Sequence, residues 1–171
     1  MNLLVVRHAP AEDRIRFARS GLPDAERPLT DKGRKKMART ARGLARLVPA
    51  LGVLATSPYT RALETATILR RAYGGLPLTR LSLLAPGGHR EEIVHWLAGL
   101  ASSNSDGCIA IVGHEPDLGE LVGLLVTGSP KPLFELRKGG ACLLDCSESL
   151  AAGAVRLHWL MRPREMRGIA R

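Results

Sequence analysis

Aromatic residues make up only 4% of this 171-residue chain, which works against a protein that holds single-stranded nucleic acid by stacking bases on rings. Cysteine is equally sparse. Cys108, Cys142 and Cys146 are odd in number and lack metal-ligand spacing, so they read as core thiols in a reducing compartment rather than a disulfide framework or a zinc site. No apolar run approaches the roughly 20 residues that a membrane-spanning helix needs. The apolar start is cut by Arg7 and His8 before a signal-peptide core can form, so a soluble, cytoplasmic protein is expected. A Gly-x-x-x-x-Gly-Lys-Ser/Thr loop is missing, which argues against nucleotide-driven kinase chemistry, as is His-Glu-x-x-His or any other compact metal signature. No metal or cofactor is therefore expected.

What is present fits one globular domain over residues 1–171, with 45% apolar residues and enough length to bury a core. Lys and Arg number 25 against 16 Asp and Glu, a net charge of +9. They cluster at Arg14–Arg19, Lys32–Arg46 and Arg162–Arg167. Such an excess is either a solvated surface or one that steers anions.

Strand-like runs alternate with helical patterns. Leu3–Val6 reads as a buried parallel strand. Residues 10–28 read as a long polar loop. Thr30 is the expected N-cap of a helix bearing Met37, Ala41 and Leu44 on its buried side. Val53–Thr56 is a second strand, Tyr59–Ala72 a helix, Leu78–Leu83 a short strand and Arg90–Leu100 a further helix. The Ser102–Gly107 loop leads to a strand at Cys108–Val112 and a helix from about Pro116 to Val126. Ala141–Asp145 and Val155–Met161 are expected to close the chain as a hairpin. This order implies a mostly parallel sheet with helices on both faces.

Three polar segments follow three of these strands: Arg7-His8, Ser57-Pro58-Tyr59-Thr60-Arg61 and Val112-Gly113-His114-Glu115. In an open α/β sheet such segments converge at the carboxyl edge of the strands. They carry two permanent cations, Arg7 and Arg61, and two imidazoles, His8 and His114. A phosphoryl group in transfer spreads charge over its equatorial oxygens, which guanidinium groups are shaped to hold while an imidazole attacks in line. Neighbouring guanidinium charge disfavours protonation of His8 and keeps it nucleophilic.

With these segments in place, a family resemblance follows. The stretch Leu3 to Ala9 resembles the Arg-His-Gly opening of the histidine phosphatase superfamily, the phosphoglycerate mutase-like fold. Ser57 to Ala66 is similar to that family's Ser-Pro-x-x-Arg-x-x-x-Thr motif, and Val112 to Glu115 to its distal Val-x-His segment. Arg27-Pro28-Leu29-Thr30, followed by Gly33, is a further recurrent element. The shortness of the chain and its Arg-His-Ala variant look most like SixA-type phosphohistidine phosphatases. The resemblance implies a three-layer α/β/α sandwich with a mostly parallel central sheet of about six strands. It implies His8 as the nucleophile, Arg7 and Arg61 on the phosphoryl oxygens, and His114 as a further contact that stabilises their charge. Ser57 either binds phosphate or ends its strand. Glu64 and Thr65 anchor the helix, and Arg27 either approaches the site or packs where the following helix begins. The implied partner is a histidine-phosphorylated signalling or phosphotransfer protein, with neither membrane nor nucleic acid expected.

Two departures from the family pattern matter. Ala9 stands where glycine is common, so the turn after His8 must tolerate a Cβ. The segment Leu83 to His89, where related mutases and broad phosphatases carry a carboxylic acid, has none. Glu12, Asp13, His89 and Glu91 remain as candidate proton donors. An alkoxide leaves poorly without proton donation, whereas a phosphorylated imidazole is protonated from solvent and departs neutral. The pattern therefore favours protein phosphohistidine as substrate. The alternatives are a small-molecule phosphomonoesterase of the same superfamily and a weakly catalytic polyanion-binding module.

Overall fold

The computed structural model describes residues 1–101, 107–146 and 149–170. Its centre is a six-stranded sheet of β1 (Asn2–Arg7), β2 (Val53–Thr56), β3 (Leu78–Arg80), β4 (Cys108–Gly113), β5 (Ala141–Asp145) and β6 (Arg156–Met161), in the order β3-β2-β4-β1-β5-β6. The first four in that order run parallel, and β5 and β6 are antiparallel additions at one side. The helices are α1 (Arg14–Ala18), α2 (Asp31–Leu47), α3 (Thr60–Ala72), α4 (Arg90–Ala101), α5 (Asp117–Thr127) and α6 (Pro163–Ile169).

The alternation of side chains along β1 splits the core into two layers. Leu3 and Val5 face one cluster with Ile93 and Leu97 of α4 and Leu118, Leu121 and Leu125 of α5. Leu4 and Val6 face the other, with Met37, Ala41 and Leu44 of α2, Ala62, Ala66 and Leu69 of α3 and Met166 of α6. Strand β4 repeats the division, with Ile109 and Ile111 on one side and Ala110 and Val112 on the other. A strand buried on both faces reads as an unbroken apolar run because helices cover both sides. The architecture is thus a three-layer α/β/α sandwich with a six-stranded, mostly parallel sheet.

Thr30 caps α2, its hydroxyl accepting from Gly33 N at 2.9 Å. Gly33 is required there by close approach: a Cβ would lie 2.1 Å from the Pro10 carbonyl oxygen. That contact draws the start of α2 against the chain just after His8.

Three expectations need correction. The stretch 10–28 is not a bare loop, since it holds α1 and a single 3-10 turn at Asp24–Glu26; α1 buries no residue, so no apolar period announces it. The strand expected to reach Leu83 stops at Arg80 and passes into a second 3-10 turn at Ser82–Leu84. Helix α5 does start near Pro116, at Asp117, as expected. The basic cluster at Arg162–Arg167 lies largely on α6, which buries only Met166 and packs on α2. The expected loop at Ser102–Gly107 falls, but for Gly107, outside the described residues, as do residues 147–148 between β5 and β6.

Candidate active site

Register brings the three polar segments together. In neighbouring strands Thr56 pairs with Val112 and Val6 pairs with Val112, so β2, β4 and β1 end at one level. Beyond that level His8 N donates to the Gly113 carbonyl at 3.0 Å, and Ser57 N to the Val112 carbonyl at 2.9 Å. The rings of His8 and His114 come within 5.2 Å, centroid to centroid. Both are buried, at 6% and 3% exposure, yet both line a pocket of about 670 Å³ with Arg7, Arg27 and Arg61.

One bond sets the tautomer of His8. Its Nδ1 lies 2.7 Å from the Ala9 carbonyl oxygen. A carbonyl only accepts, so the proton sits on Nδ1 and Nε2 carries the lone pair. Burial, together with the charges of Arg61, Arg7 and Lys138 and against the Ala9 bond, pulls the pKa of His8 down to about 4. At neutral pH the ring is an unprotonated nucleophile or base. Ala9 supplies this bond without strain: it is fully buried in the core, and among the described residues no non-glycine residue has positive φ.

His114 Nε2 lies 2.8 Å from Ser57 Oγ. Burial and the charges of His8 and Arg61 depress its pKa to about 3, so it too is neutral. Its Nδ1 is buried without a partner, as are Nε of Arg7 and Nε of Arg61. Two further unpartnered atoms, Tyr73 Oη and Arg90 Nε, lie outside the pocket lining, but three donors on residues around one pocket suit an oxyanion site, since buried polar groups are mostly paired.

The arginines are held by the loops. Arg7 Nη1 donates to Glu135 Oε1 at 2.9 Å and to the Leu136 carbonyl. Arg61 donates to the Asp24 carbonyl at 2.8 Å and pairs with its carboxylate at 3.1 Å. Arg27, in turn, reaches Asp24 Oδ1 at 2.8 Å and the Glu12 carbonyl at 2.7 Å. Burial opposes the charge on Asp24, but the Arg27 bond and the Arg61, Arg27 and Arg14 charges outweigh it and keep the carboxyl below its ordinary value. The Tyr59 ring lies under the Arg61 guanidinium at 4.9 Å and edge-on to His114 at 5.3 Å. Thr65 and Glu64 act as anchors, bonded to Ala9 N and Leu29 N respectively.

Arg7, His8, Arg61 and His114 are thus brought into one pocket. Arg27 both lines it and packs against Asp24. Ser57 is fully buried, outside the lining, and touches His114 instead. Of the candidate proton donors, Glu12 and Asp13 line the pocket, whereas His89 and Glu91 are exposed elsewhere. Pro86 is the only lining residue from the segment Leu83 to His89. Asp24, Glu115 and Lys138 also line the pocket, and of these only Glu115 falls in a segment that the sequence singled out. Glu115 adjoins the His114 motif, but Asp24 and Lys138 lie in segments without one. Among the described residues no group of three or more His, Cys, Asp or Glu side chains is placed to hold a metal ion.

The profile of the histidine phosphatase superfamily (branch 1) matches residues 3–85, and a relative from Picosynechococcus sp. is 33% identical over 92% of this chain and 88% of its own. The chain belongs to the histidine phosphatase superfamily. That relative is described as uncharacterized. The tungstate complex of the protein histidine phosphatase SixA superimposes with a TM-score of 0.80 at 25% identity, covering 97% of this chain and 99% of that one. Phosphoserine phosphatase of Entamoeba histolytica shares the fold at 14% identity, with a TM-score of 0.69 over 95% of this chain and 98% of its own. Family membership makes this histidine phosphatase a phosphate-releasing hydrolase, with SixA-like structure.

Proposed function

We propose that the protein removes phosphate from phosphohistidine on a protein, through a phosphoenzyme on His8. The observation that carries the reading is the Nδ1 bond of His8 to the Ala9 carbonyl, which leaves Nε2 as the attacking atom. In the first step His8 Nε2 bonds to phosphorus while the substrate's P–N bond breaks. The electron pair stays on the leaving imidazole nitrogen, which takes a proton from solvent. Arg7 and Arg61 hold the equatorial oxygens, where the charge is spread. His114 donates from Nδ1 to the same group while Ser57 fixes the opposite nitrogen as acceptor. Water then attacks phosphorus, releasing inorganic phosphate and restoring neutral His8. No metal or cofactor takes part.

The carboxylates around the pocket support a phosphoramidate over an ester. Asp24 is held ionised between arginines. Glu115 accepts from Leu136 N at 2.8 Å, and Asp13 caps α1 by accepting from Arg16 N at 2.9 Å. Glu12 is the lining carboxylate without such an anchor, and it favours the second reading, a small-molecule phosphomonoesterase with Glu12 as acid. The physiological partner in the first reading is a histidine-phosphorylated signalling or phosphotransfer protein of the cytoplasm. No helix among the described residues is long and apolar enough to cross a membrane.

The test is phosphate release, without added metal, from a phosphohistidine peptide, p-nitrophenyl phosphate and phosphoserine, with His8→Ala and Glu12→Gln as controls. Preference for phosphohistidine, lost in His8→Ala and kept in Glu12→Gln, is expected. Faster ester turnover that depends on Glu12 would install the second reading. Polyanion binding that survives His8→Ala, with no turnover of any substrate, would leave only a binding module.

A further inference from the structure

A second cleft, of about 270 Å³, opens on the other side of the chain that follows His8. Its charged lining is Lys36, Arg137, Lys138, Arg162, Arg164 and Arg167, with no carboxylate among the lining residues. Among the described residues, none of these six cations forms an ion pair. Concave walls of one sign focus the field and concentrate counter-charge. The floor is apolar, formed by Ala9, Met37 and Pro163. From Lys36 the cationic surface continues along α2 through Lys32, Lys35 and Arg39.

The cleft shares a wall with the His8 pocket. Lys138 lines both. Gly139 N donates to the His8 carbonyl at 3.0 Å and lies 3.2 Å from the Arg7 carbonyl. Its φ of 77° is open to glycine rather than to a side chain. The two linings therefore meet at Lys138.

We propose that this basic cleft docks an acidic segment of the phosphorylated protein, beside the phosphohistidine. The inference rests on the reading of the substrate as protein phosphohistidine. Six unpaired cations call for carboxylates, and the apolar floor suits the methylene groups of Asp and Glu side chains and the backbone between them. Nucleic acid fits less well, because no aromatic residue lines the cleft for base stacking.

The experiment has two arms. In the first, a fluorescein-labelled, unphosphorylated octaglutamate peptide is titrated against the intact protein and followed by anisotropy, so the result is independent of catalysis. Lys36→Glu/Arg164→Glu, which reverses two exposed charges, is expected to weaken binding roughly tenfold or more. A charge-matched control, Arg71→Glu/Lys131→Glu, is expected to weaken it much less. In the second arm, phosphohistidine peptides with acidic and with neutral flanks are compared. The wild type is expected to favour the acidic peptide in kcat/KM through a lower KM, and the cleft variant to lose that preference while turning over the neutral peptide normally. Equal losses in the two double variants would overturn the proposal. So would retained preference in the cleft variant, or tighter binding of a labelled oligonucleotide than of octaglutamate. If neither phosphohistidine peptide is hydrolysed, the functional reading fails, and the anisotropy arm still decides the cleft.

Discussion

Thr65 Oγ1 accepts the amide hydrogen of Ala9 at 3.0 Å and donates to the Arg61 carbonyl at 2.7 Å. One hydroxyl therefore ties the turn after His8 to the first turn of α3, which carries Arg61. The four-residue spacing of Arg61 and Thr65 places both on one helix face. Thr65→Val keeps the shape and removes the acceptor, leaving a buried N–H unpaired at a cost of about 1–3 kcal/mol. Denaturant unfolding should show that loss. Phosphatase kcat/KM should fall roughly tenfold or more, since small displacements of positioned groups are costly. Thr65→Ser should recover most of both. Unchanged kinetics in Thr65→Val would mean that the Ala9 turn needs no such tie.

How far the site can be read in the sequence follows from where its parts sit. Arg7, His8, Arg61 and His114 each follow an apolar run closely, and parallel pairing brings the ends of such runs to one edge whatever the loops do. Asp24 and Lys138 reach the same pocket on polar segments whose path depends on packing far away in the chain. Nothing local marks them. Helix α6 is seven residues long with one buried side chain, too short for an apolar period, so its arginines look like a bare charge cluster. With them the basic cleft also stays hidden, because its walls come from α2, α6 and the turn at Lys138–Gly139.

Glu64 anchors the segment that follows Arg27. Its Oε2 accepts from Leu29 N at 2.8 Å, and its Oε1 pairs with Arg34 at 2.8 Å. The segment that presents Arg27 is thereby pinned to α3. Glu64→Ala should destabilise the protein by about 1–3 kcal/mol and raise KM more than it lowers kcat. Glu64→Gln, which retains an acceptor for Leu29 N, should lie near wild type. Parallel kinetic and unfolding measurements on the two variants check this, and identical behaviour of both would point to the Arg34 ion pair instead.

Asp24 offsets charge in the pocket. It lies 3.1 Å from Arg61 and 2.8 Å from Arg27. Asp24→Asn preserves hydrogen-bond acceptance and removes the negative charge, so an anion in the pocket meets guanidinium groups no longer neutralised. Inorganic phosphate should inhibit about fivefold more tightly, as expected for loss of one nearby like charge in a water-like dielectric. The gain should shrink in high salt, which screens exposed charge. Inhibition constants at low and high ionic strength measure both, and weaker phosphate binding in the variant would show that Asp24 serves mainly to hold Arg61 in place.

The two neutral imidazoles couple folding to pH. His8 is held at about 4 and His114 at about 3, against an ordinary value of 6.5. Below pH 6.5 the unfolded chain takes up protons that the folded one refuses, so acid favours unfolding. Their contribution is complete above pH 6.5, declines as pH falls toward 4 for His8 and toward 3 for His114, and amounts to several kcal/mol in all, about 8 at most. Urea unfolding should therefore show stability falling between pH 7 and about 4.5. His114→Gln, which cannot charge in either state, should flatten that fall. In the folded protein, nitrogen NMR should report His8 as the Nδ1-protonated tautomer with no titration down to pH 5. A His8 ring that titrates near its ordinary value, or carries its proton on Nε2, would remove the nucleophile on which the proposed chemistry depends.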